Sequence, residues 1–270
     1  MAGGVCPVCT GPMAERGYAK YLDGVQNFVT VPVFYCKACD LFSKALPRDL
    51  LKSHLKAAAY ALPNNERAYY RKKNEFFKFI VSLVLRYKNN PTMLDVGCSY
   101  GHLMMAAAEK GMDAEGVEIN GALREKLETK GFRVYKDLFE VPERYDAITF
   151  IDSFFYFENP LDVLNRCNEL LKEDGILLLR LTNRNWLAGL RWTLLKRRDL
   201  SVLGDTTHSY SIKSITRALN KTGFNLKGVH FFERGRMEKI VHRLAGLLAV
   251  ATFHQFILTP GVIVVAKRRA

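Results

Sequence analysis

Four cysteines near the start of the chain have the type and spacing of a metal site. They form two CxxC pairs separated by a 26-residue spacer, and they are Cys6, Cys9, Cys36 and Cys39. A turn with thiolates at positions i and i+3 can present both sulfurs to one ion, and two such turns complete a tetrahedral zinc site. Such a site is closed and therefore structural. The alternatives are unliganded thiols or a disulfide pair.

A glycine turn is the second feature whose residues could bind a ligand. Residues 93–102, MLDVGCSYGH, place a predicted strand before two glycines and a predicted helix after them. Gly97 and Gly101 permit backbone conformations that a Cβ would forbid, so a ligand can approach the backbone. Two glycines do not complete the GxGxxG fingerprint of dinucleotide sites. Seventeen residues after Gly101, however, Glu118 ends the next predicted strand, where a carboxylate can accept both hydroxyls of a ribose.

The elements that must position these residues alternate between strands and helices. Apolar runs predict strands at 92–96, 114–118, 133–136, 145–151, 175–181, 226–232 and 261–266, with a further strand at 26–35. Helical periodicity predicts helices at 65–87, 103–110, 123–130, 160–171, 212–222 and 238–258. This alternation is typical of βαβ units around a mostly parallel sheet and predicts an α/β fold.

Four motifs within these elements resemble a known family. LDVGCSYG, VEIN, KDLFEVPERYDAITFIDSFFYFENP and LLKEDGILLLRLTN are similar to the motif series of class I S-adenosylmethionine-dependent methyltransferases, over residues 65–270. The resemblance implies a Rossmann-like sheet of seven strands whose last strand is antiparallel and lies beside the fifth. Together with the CxxC pairs, it points to the subset with an N-terminal zinc ribbon. We therefore expect a zinc ribbon at 1–60 and an S-adenosylmethionine-binding domain at 61–270, with insert 185–208 as a candidate lid.

The resemblance also implies which residues hold the cofactor. The predicted set is Asp95, Gly97, Cys98, Gly101, Glu118, Ile119, Asp137, Leu138, Asp152 and Ser153. The glycine loop would face the methionine and ribose, Glu118 would hold the ribose hydroxyls, and Ile119 would pack on the adenine face. The pair at 137–138 would meet the adenine edge, and the pair at 152–153 would lie under the methionine end. Solvated loop carboxylates are the alternative for Glu118 and Asp137, and Cys98 is interpreted as a small packed residue.

The chain departs from many relatives after the fourth strand of the domain, where Phe155-Tyr156 stands in place of a Glu-His pair. The imidazole base expected there is missing. Methyl transfer proceeds without a base when the acceptor is already deprotonated, because the sulfonium is an activated donor and alignment supplies much of the acceleration. The remaining candidate bases are His208, Tyr156, Glu158 and Tyr210, with His208 first among them. The alternatives are a surface or capping role for His208 and a pocket wall for Tyr156.

Charge is distributed unevenly along the 270 residues, which carry a net +13. Residues 91–182 contain 17 acidic and 10 basic side chains, whereas residues 183–270 contain 16 basic and 4 acidic ones. The acidic half coincides with the cofactor motifs, so the basic half predicts an anionic acceptor, such as a sugar nucleotide, a natural-product intermediate or a carrier-linked metabolite. An RNA methyltransferase and a non-catalytic cofactor-binding module are the alternatives.

The segment 184–198, RNWLAGLRWTLLKRR, combines helically spaced apolar residues with five cations. It is interpreted as a lid over an anionic substrate or as a helix that touches a membrane surface, with a solvated helix face as the alternative. The first residues lack the basic and apolar regions of an export signal, and the longest apolar run, 244–258, is shorter than a membrane span. These features predict a cytoplasmic protein.

Overall fold

Eleven strands and seven α-helices lie in the part of the chain that the computed structural model describes, residues 4–22, 27–58, 66–230 and 261–269. The strands are β1 (Ala14–Leu22), β2 (Phe28–Cys36), β3 (Leu41–Lys44), β4 (Thr92–Val96), β5 (Asp113–Val117), β6 (Val134–Tyr135), β7 (Tyr145–Ile151), β8 (Leu171–Thr182), β9 (His208–Tyr210), β10 (Phe224–His230) and β11 (Gly261–Arg268). The helices are α1 (Arg48–Ala58), α2 (Glu66–Leu85), α3 (His102–Ala108), α4 (Gly121–Glu128), α5 (Pro160–Leu170), α6 (Asn185–Thr193) and α7 (Ile212–Lys221).

The larger sheet has seven strands in the order β10-β11-β8-β7-β4-β5-β6. Strand β11 is antiparallel to both of its neighbours, β8 and β10, while the contacts among β4 to β8 are parallel. The predicted α/β sheet, with an antiparallel last strand beside the fifth, is therefore confirmed. Because β5 and β7 flank β4 on opposite sides, the strand order reverses at β4, and a crevice for a ligand opens at such a point.

Helices cover both faces of this sheet, so its strands are buried on two sides. On one face α2 and α3 pack against the sheet through Ile80, Leu83 and Met104, all nearly inaccessible to solvent. On the other face α5 and α7 contribute Leu164 and Ile215 to a core that extends into the ribbon around Cys6 and Leu41. The two cores fix the carboxyl edge of the sheet, where the predicted cofactor loops lie.

The smaller sheet has four antiparallel strands in the order β1-β2-β3-β9. Its first three strands come from the predicted ribbon, but β9 begins at His208, the last residue of the insert 185–208, and pairs with β3 from Leu41 opposite Tyr210 to Ser43 opposite His208. Residues 199–201 follow the free edge of β1, where the Leu200 amide donates to the Tyr18 carbonyl at 2.7 Å. The insert therefore closes both edges of the ribbon sheet.

Polar side chains also hold the ribbon sheet against the insert, and we call this region of contact the joint. The Asn185 amide donates to the Asp40 carbonyl at 2.9 Å and to the Ser209 carbonyl at 3.0 Å, and its oxygen accepts from the Ser209 hydroxyl at 2.6 Å. Lys44 is buried, and its Nζ donates to the carbonyls of Gly204, at 2.6 Å, and Thr206. Asn185 and Lys44 therefore both have hydrogen-bond partners at the joint, as buried polar groups usually do.

The sequence located the seven strands of the main sheet within a few residues, and β2 with them. It did not predict β1, β3, α1 or the short strand β9. The predicted helix at 238–258 lies outside the described residues. Within the described ranges, no helix combines the length and the apolar character needed to cross a membrane.

We expect Asn185→Ala to lower the free energy of unfolding by about 2–4 kcal/mol, because the substitution leaves the buried carbonyls of Asp40 and Ser209 without their donor. Denaturant unfolding measures the change. Asn220→Ala is the matched control, since Asn220 is exposed and accepts only from Arg269, at 3.1 Å, among the contacts described. Equal unfolding midpoints for the two variants would contradict this view of the joint.

Candidate functional site

The glycine loop that follows β4 touches the loop that follows β7. Gly97 has φ +78°, and a Cβ added there would lie 2.5 Å from the Cβ of Ser153. The Ser153 hydroxyl in turn donates to the Val96 carbonyl. Two residues other than glycine also have positive φ in these loops, Ser99 at 52° and Asp152 at 60°. Such conformations cost energy and collect at ligand-binding loops, so both loops have the form that a cofactor crevice needs.

Asp95 lies at the base of this crevice, at the carboxyl end of β4. Its side chain is 3% exposed and accepts a hydrogen bond from the Thr149 hydroxyl at 2.7 Å. Burial raises the pKa of Asp95 to about 7, the Thr149 hydrogen bond opposes the rise, and the charge of Glu118 adds to it. Near neutral pH the carboxyl therefore lies between its neutral and ionised forms, and a cation placed beside it would favour ionisation.

Glu118 follows β5 directly and is held in place by the backbone. Its two carboxylate oxygens accept from the amides of Ser99 and Asn120, each at 2.9 Å. The first of these contacts joins Glu118 to the glycine loop, so β4 and β5 present one continuous polar edge. Ile119 beside it is 52% exposed, an unusual position for an isoleucine, and offers an apolar surface to a flat ring. The ribose and adenine contacts of these two residues stay predictions.

The turn after β6 agrees only in part with its predicted role. Asp137 Oδ1 accepts from the Phe139 amide at 3.0 Å and caps a short 3₁₀ turn. The Leu138 side chain is 1% exposed because it belongs to the core, so only its backbone can meet an adenine edge. Phe139, by contrast, is 54% exposed at the same turn. The exposed apolar side chain of this turn is therefore that of Phe139 and not that of Leu138.

Cys98 is a packing residue within the glycine loop. A Cβ on Gly116 of the neighbouring strand would lie 2.6 Å from its sulfur, so the thiol fills the space that this glycine leaves. Burial, together with the charges of Asp95 and Glu118, raises the pKa of the Cys98 thiol well above its usual value. A neutral buried thiol is a poor nucleophile, in agreement with the interpretation of Cys98 as a small packed residue.

Asp152 is paired with a cation that the sequence analysis did not identify. Arg180, near the end of β8, forms an ion pair with Asp152 across neighbouring strands. The guanidinium also lies 5.3 Å from the centre of the Phe76 ring in α2. Arg180 therefore joins the β7 loop, the β8 end and α2 at the methionine end of the predicted pocket. Helical periodicity showed that α2 is amphipathic, but only the fold brings it to this edge.

His208, the first candidate base, lies inside the joint between the two sheets. It is 6% exposed, with Nδ1 2.9 Å from the Ser43 hydroxyl and Nε2 3.3 Å from the Glu158 carbonyl. Burial lowers the pKa of His208 to about 4, so the ring is neutral at physiological pH. A general base needs a free lone pair that faces the acceptor. Because both ring nitrogens have protein partners, the geometry fits a bridge between β3 and the loop after β7.

The other three candidate bases occupy different environments. Tyr210 is 2% exposed and packs against Phe154, with ring centroids 5.4 Å apart, so it belongs to the core. Glu158 is exposed and forms an ion pair with Arg48 at 3.3 Å. Tyr156 is half-buried, and the charges of Asp205 and Asp152 add to burial in raising the pKa of its hydroxyl. Of the four, Tyr156 alone lies between the cofactor loop and the insert.

Ribbon residues converge on Tyr156, which the sequence analysis did not foresee. The pKa of Tyr21, on β1, is raised by burial and then by the proximity of Tyr156 and Asp205. The Nζ of Lys44 lies 5.8 Å from the centre of the Tyr21 ring. Burial lowers the pKa of Lys44 to about 7, and Asp205 partly offsets that effect.

The four predicted metal ligands come together at the other end of the ribbon. The sulfurs of Cys6, Cys9, Cys36 and Cys39 all lie within 4.8 Å of one another, and all four thiols are free. The sulfurs of Cys9 and Cys36 are 3.6 Å apart. A tetrahedral zinc ion with Zn–S distances of about 2.3 Å requires sulfurs about 3.8 Å apart. The donor set and its spacing therefore fit Zn²⁺.

Comparison with known proteins agrees with this geometry. A family model described as a methyltransferase domain matches residues 50–227. The chain belongs to this methyltransferase family. Ubiquinone biosynthesis O-methyltransferases of Leptothrix cholodnii and Pseudomonas paraeruginosa are each 28% identical to it, over 151 and 130 residues. These alignments cover 50% and 44% of this chain and 64% and 56% of the relatives, so the chain spans less than two thirds of the curated relatives it matches.

Solved structures of methyltransferases share the fold. An S-adenosylmethionine-dependent methyltransferase of Thermotoga maritima, described as a possible histamine N-methyltransferase, has a TM-score of 0.54 at 15% identity. The alignment covers 80% of this chain and 100% of the Thermotoga chain. The magnesium protoporphyrin IX methyltransferase of Synechocystis with bound S-adenosylhomocysteine has a TM-score of 0.52 at 14% identity, covering 78% and 91%. The class I S-adenosylmethionine-dependent methyltransferase fold that the motifs implied is confirmed.

We expect Gly97→Ala to lower the affinity of this methyltransferase for S-adenosylmethionine at least about tenfold, because the added Cβ collides with Ser153 and the positive φ is strained. Isothermal calorimetry measures the affinity. Gly111→Ala is the control, since Gly111 has a similar φ of +74° and a Cβ there meets no described atom within 4 Å. The interpretation fails if both variants bind the cofactor as the wild type does.

The affinity for S-adenosylmethionine is also expected to rise with pH through about 7. Asp95 is neutral below its raised pKa of about 7 and ionised above it, and a sulfonium cation favours the ionised form. The gain is at most about tenfold per pH unit below pH 7. S-adenosylhomocysteine, which lacks the sulfonium charge, should show a flatter profile, and Asp95→Asn should flatten the profile of S-adenosylmethionine. Parallel profiles for both ligands would exclude this role of Asp95.

Proposed function

We propose that the protein transfers a methyl group from S-adenosylmethionine to a small-molecule acceptor that carries a negative charge. The observation that carries the proposal is the continuous polar edge formed by the glycine loop and Glu118, placed where the strand order of a methyltransferase sheet reverses. When bound, the cofactor supplies an activated methyl group on a sulfonium. The name of the ubiquinone biosynthesis relatives supports a small acceptor.

In this proposal, different residues of the crevice hold different parts of the cofactor. Glu118 is fixed by two backbone amides, so it can accept ribose hydroxyls without the entropy cost of ordering its side chain. Ile119 and Phe139 offer exposed apolar surfaces for the adenine. Asp95 and the Asp152–Arg180 pair lie towards the methionine end, where charges of both signs match a zwitterionic amino acid group.

On the acceptor side, the proposed wall consists of Tyr156, Tyr21, Lys44 and Asp205. Asp205 and Arg184 both lie close enough to Lys44 for their charges to act on it, so this wall combines an arginine, a carboxylate and a lysine whose pKa is about 7. Arg184, and Lys44 in its protonated form, favour an acceptor oxygen that is itself ionised, such as a phenolate or a carboxylate. Such an acceptor needs no dedicated base, which agrees with the missing Glu-His pair and with the buried, fully partnered ring of His208. Sugar nucleotides, carrier-linked metabolites and natural-product intermediates all belong to this class.

The ribbon is proposed to hold one structural Zn²⁺ through its four cysteines. The clustering of the four sulfurs supports this ion, and cysteines that serve a metal rather than disulfides are typical of a reducing compartment, so we propose a cytoplasmic location. In this proposal the insert 185–208 acts together with the ribbon, since the two share one sheet, and the pair covers the acceptor side.

The function is tested by calorimetry with S-adenosylmethionine, followed by transfer of a labelled methyl group to a panel of phenols, carboxylic acids and sugar nucleotides. We expect Glu118→Ala to weaken cofactor binding at least about tenfold, because charge-assisted hydrogen bonds are lost. The exposed Glu128, changed to Ala, is the matched control. Cofactor binding without transfer to any acceptor in a cell extract would favour the non-catalytic module. Transfer to RNA, with an affinity that falls steeply with salt, would favour the RNA enzyme.

Removal of zinc is expected to destabilise the protein beyond the ribbon itself. Chelation should lower the melting temperature by at least about 10 °C, since metal binding contributes to folding and the ribbon shares its sheet and core with the insert. Metal analysis should find one zinc per chain in the wild type, less in Cys36→Ser, and one in Cys98→Ala, which lies outside the cluster. A full zinc content in Cys36→Ser would show that the four cysteines are not the ligands.

A further inference from the structure

Helix α6 presents an apolar stripe to solvent. Trp186, Leu190 and Leu194 follow one another at four-residue spacing, which places them on one side of the helix and its C-terminal turn. Their exposures are 42%, 38% and 72%, and the adjacent Leu195 is 56% exposed. The opposite side of α6 carries Ala188, which is fully buried in the core of the ribbon sheet, where Trp192 also packs. The helix is therefore anchored by one face and leaves an apolar face uncovered by the described residues.

A cluster of cations follows this stripe directly. Lys196, Arg197 and Arg198 are consecutive and exposed. Arg198 faces Glu15 at 3.4 Å, whereas Lys196 and Arg197 extend the positive charge of the turn. We call Trp186, Leu190, Leu194, Leu195 and these three cations the α6 surface. It combines large exposed apolar side chains with adjacent positive charge.

The α6 surface is held in a fixed position by the ribbon. The Arg198 carbonyl accepts from the Tyr18 amide at 2.9 Å, and the Arg191 side chain donates to the Asp199 carbonyl at 3.2 Å. The Arg16 guanidinium lies 4.1 Å from the centre of the Trp192 ring. These contacts join the turn 194–199 to β1 and keep α6 from rotating its apolar stripe inwards. The exposure of the leucines is thus a consequence of the fold.

We propose that the α6 surface docks on an anionic lipid bilayer. An interfacial helix inserts Trp and Leu side chains at the boundary of the acyl chains and places Lys and Arg at the headgroups, and the α6 surface offers both. A second copy of this chain is a poorer partner, because the net charge of +13 makes two basic surfaces repel each other. A nucleic acid is also a poorer partner, since Trp186 is the single ring of the α6 surface on which a base could stack and the three exposed leucines offer none.

Docking of this kind would orient the molecule. Strand β8 ends at Thr182 and α6 begins at Asn185, so the α6 surface follows directly from the carboxyl edge of the main sheet. A bilayer at the α6 surface therefore lies near the edge where the cofactor loops are. The proposal concerns binding alone and stands whether or not the acceptor is a lipid.

The test is flotation of the full-length protein with vesicles of phosphatidylcholine, with and without phosphatidylglycerol. We expect binding to the anionic vesicles and at least about tenfold weaker binding to the neutral ones. Lys196→Ala with Arg197→Ala should lower the partition constant about 25-fold, from about fivefold per cation removed. Leu194→Ser with Leu195→Ser should lower it at least about tenfold. Lys110→Ala with Lys130→Ala removes two exposed cations elsewhere and should change it less than about twofold.

Several outcomes would overturn the proposal. These are no binding to anionic vesicles, equal weakening by the control pair, and unchanged binding after the leucine substitutions. Binding of an RNA oligomer that needs the cations but not the leucines, without vesicle binding, would assign the surface to nucleic acid. A dimer in sedimentation velocity that the leucine substitutions dissociate, again without vesicle binding, would assign it to a second copy. Unchanged calorimetry with S-adenosylmethionine shows that each variant is folded and separates this test from that of the proposed function.

Discussion

Backbone pairing between β3 and β9 is the interaction on which the arrangement of the acceptor side depends. The two strands are more than 160 residues apart in the chain, yet Leu41 pairs with Tyr210 and Ser43 with His208. Without β9, the outer edge of β3 would present unpaired amides and carbonyls, a state that proteins avoid. The pairing therefore couples the folding of the metal ribbon to that of the methyltransferase domain.

Side chains extend this backbone pairing to the loop that follows β7. His208 spans from Ser43 on the ribbon to the Glu158 carbonyl in the loop that follows β7. The same loop begins with Asp152 and Ser153, which touch the glycine turn and Arg180. A displacement of the ribbon would therefore also displace the loop that follows β7, which lies between the proposed cofactor and acceptor sites. His208, the first candidate base in the sequence, is in the structure one of the contacts that connect the ribbon to this loop.

The uneven charge of the chain matches the proposed division into a cofactor side and an acceptor side. The acidic central part supplies Asp95, Glu118 and Asp152 to one edge of the sheet, where a cationic sulfonium and a ribose are to be held. The basic C-terminal part supplies Arg184 beside Lys44 at the acceptor side, and the exposed cations of the α6 surface beyond it. In the proposed function the ribbon adds a lysine and a tyrosine to the acceptor side, so a part of the chain that looks structural in the sequence would also line the cleft.

The sequence by itself determined the main sheet, the glycine loop, Glu118 and the four-cysteine cluster. Each of these depends on local patterns, such as apolar runs, a strand followed by a glycine turn, or two CxxC turns, and such patterns are visible in the order of residues. Only the tertiary structure decided that Leu138 is buried beside an exposed Phe139, that His208 is enclosed, and that Lys44 lies near the Tyr21 ring. A three-residue strand such as β9 has no periodicity to detect. Its place is set by the unpaired edge of β3 and by the desolvation of the side chains around it, and both arise only when distant segments pack together.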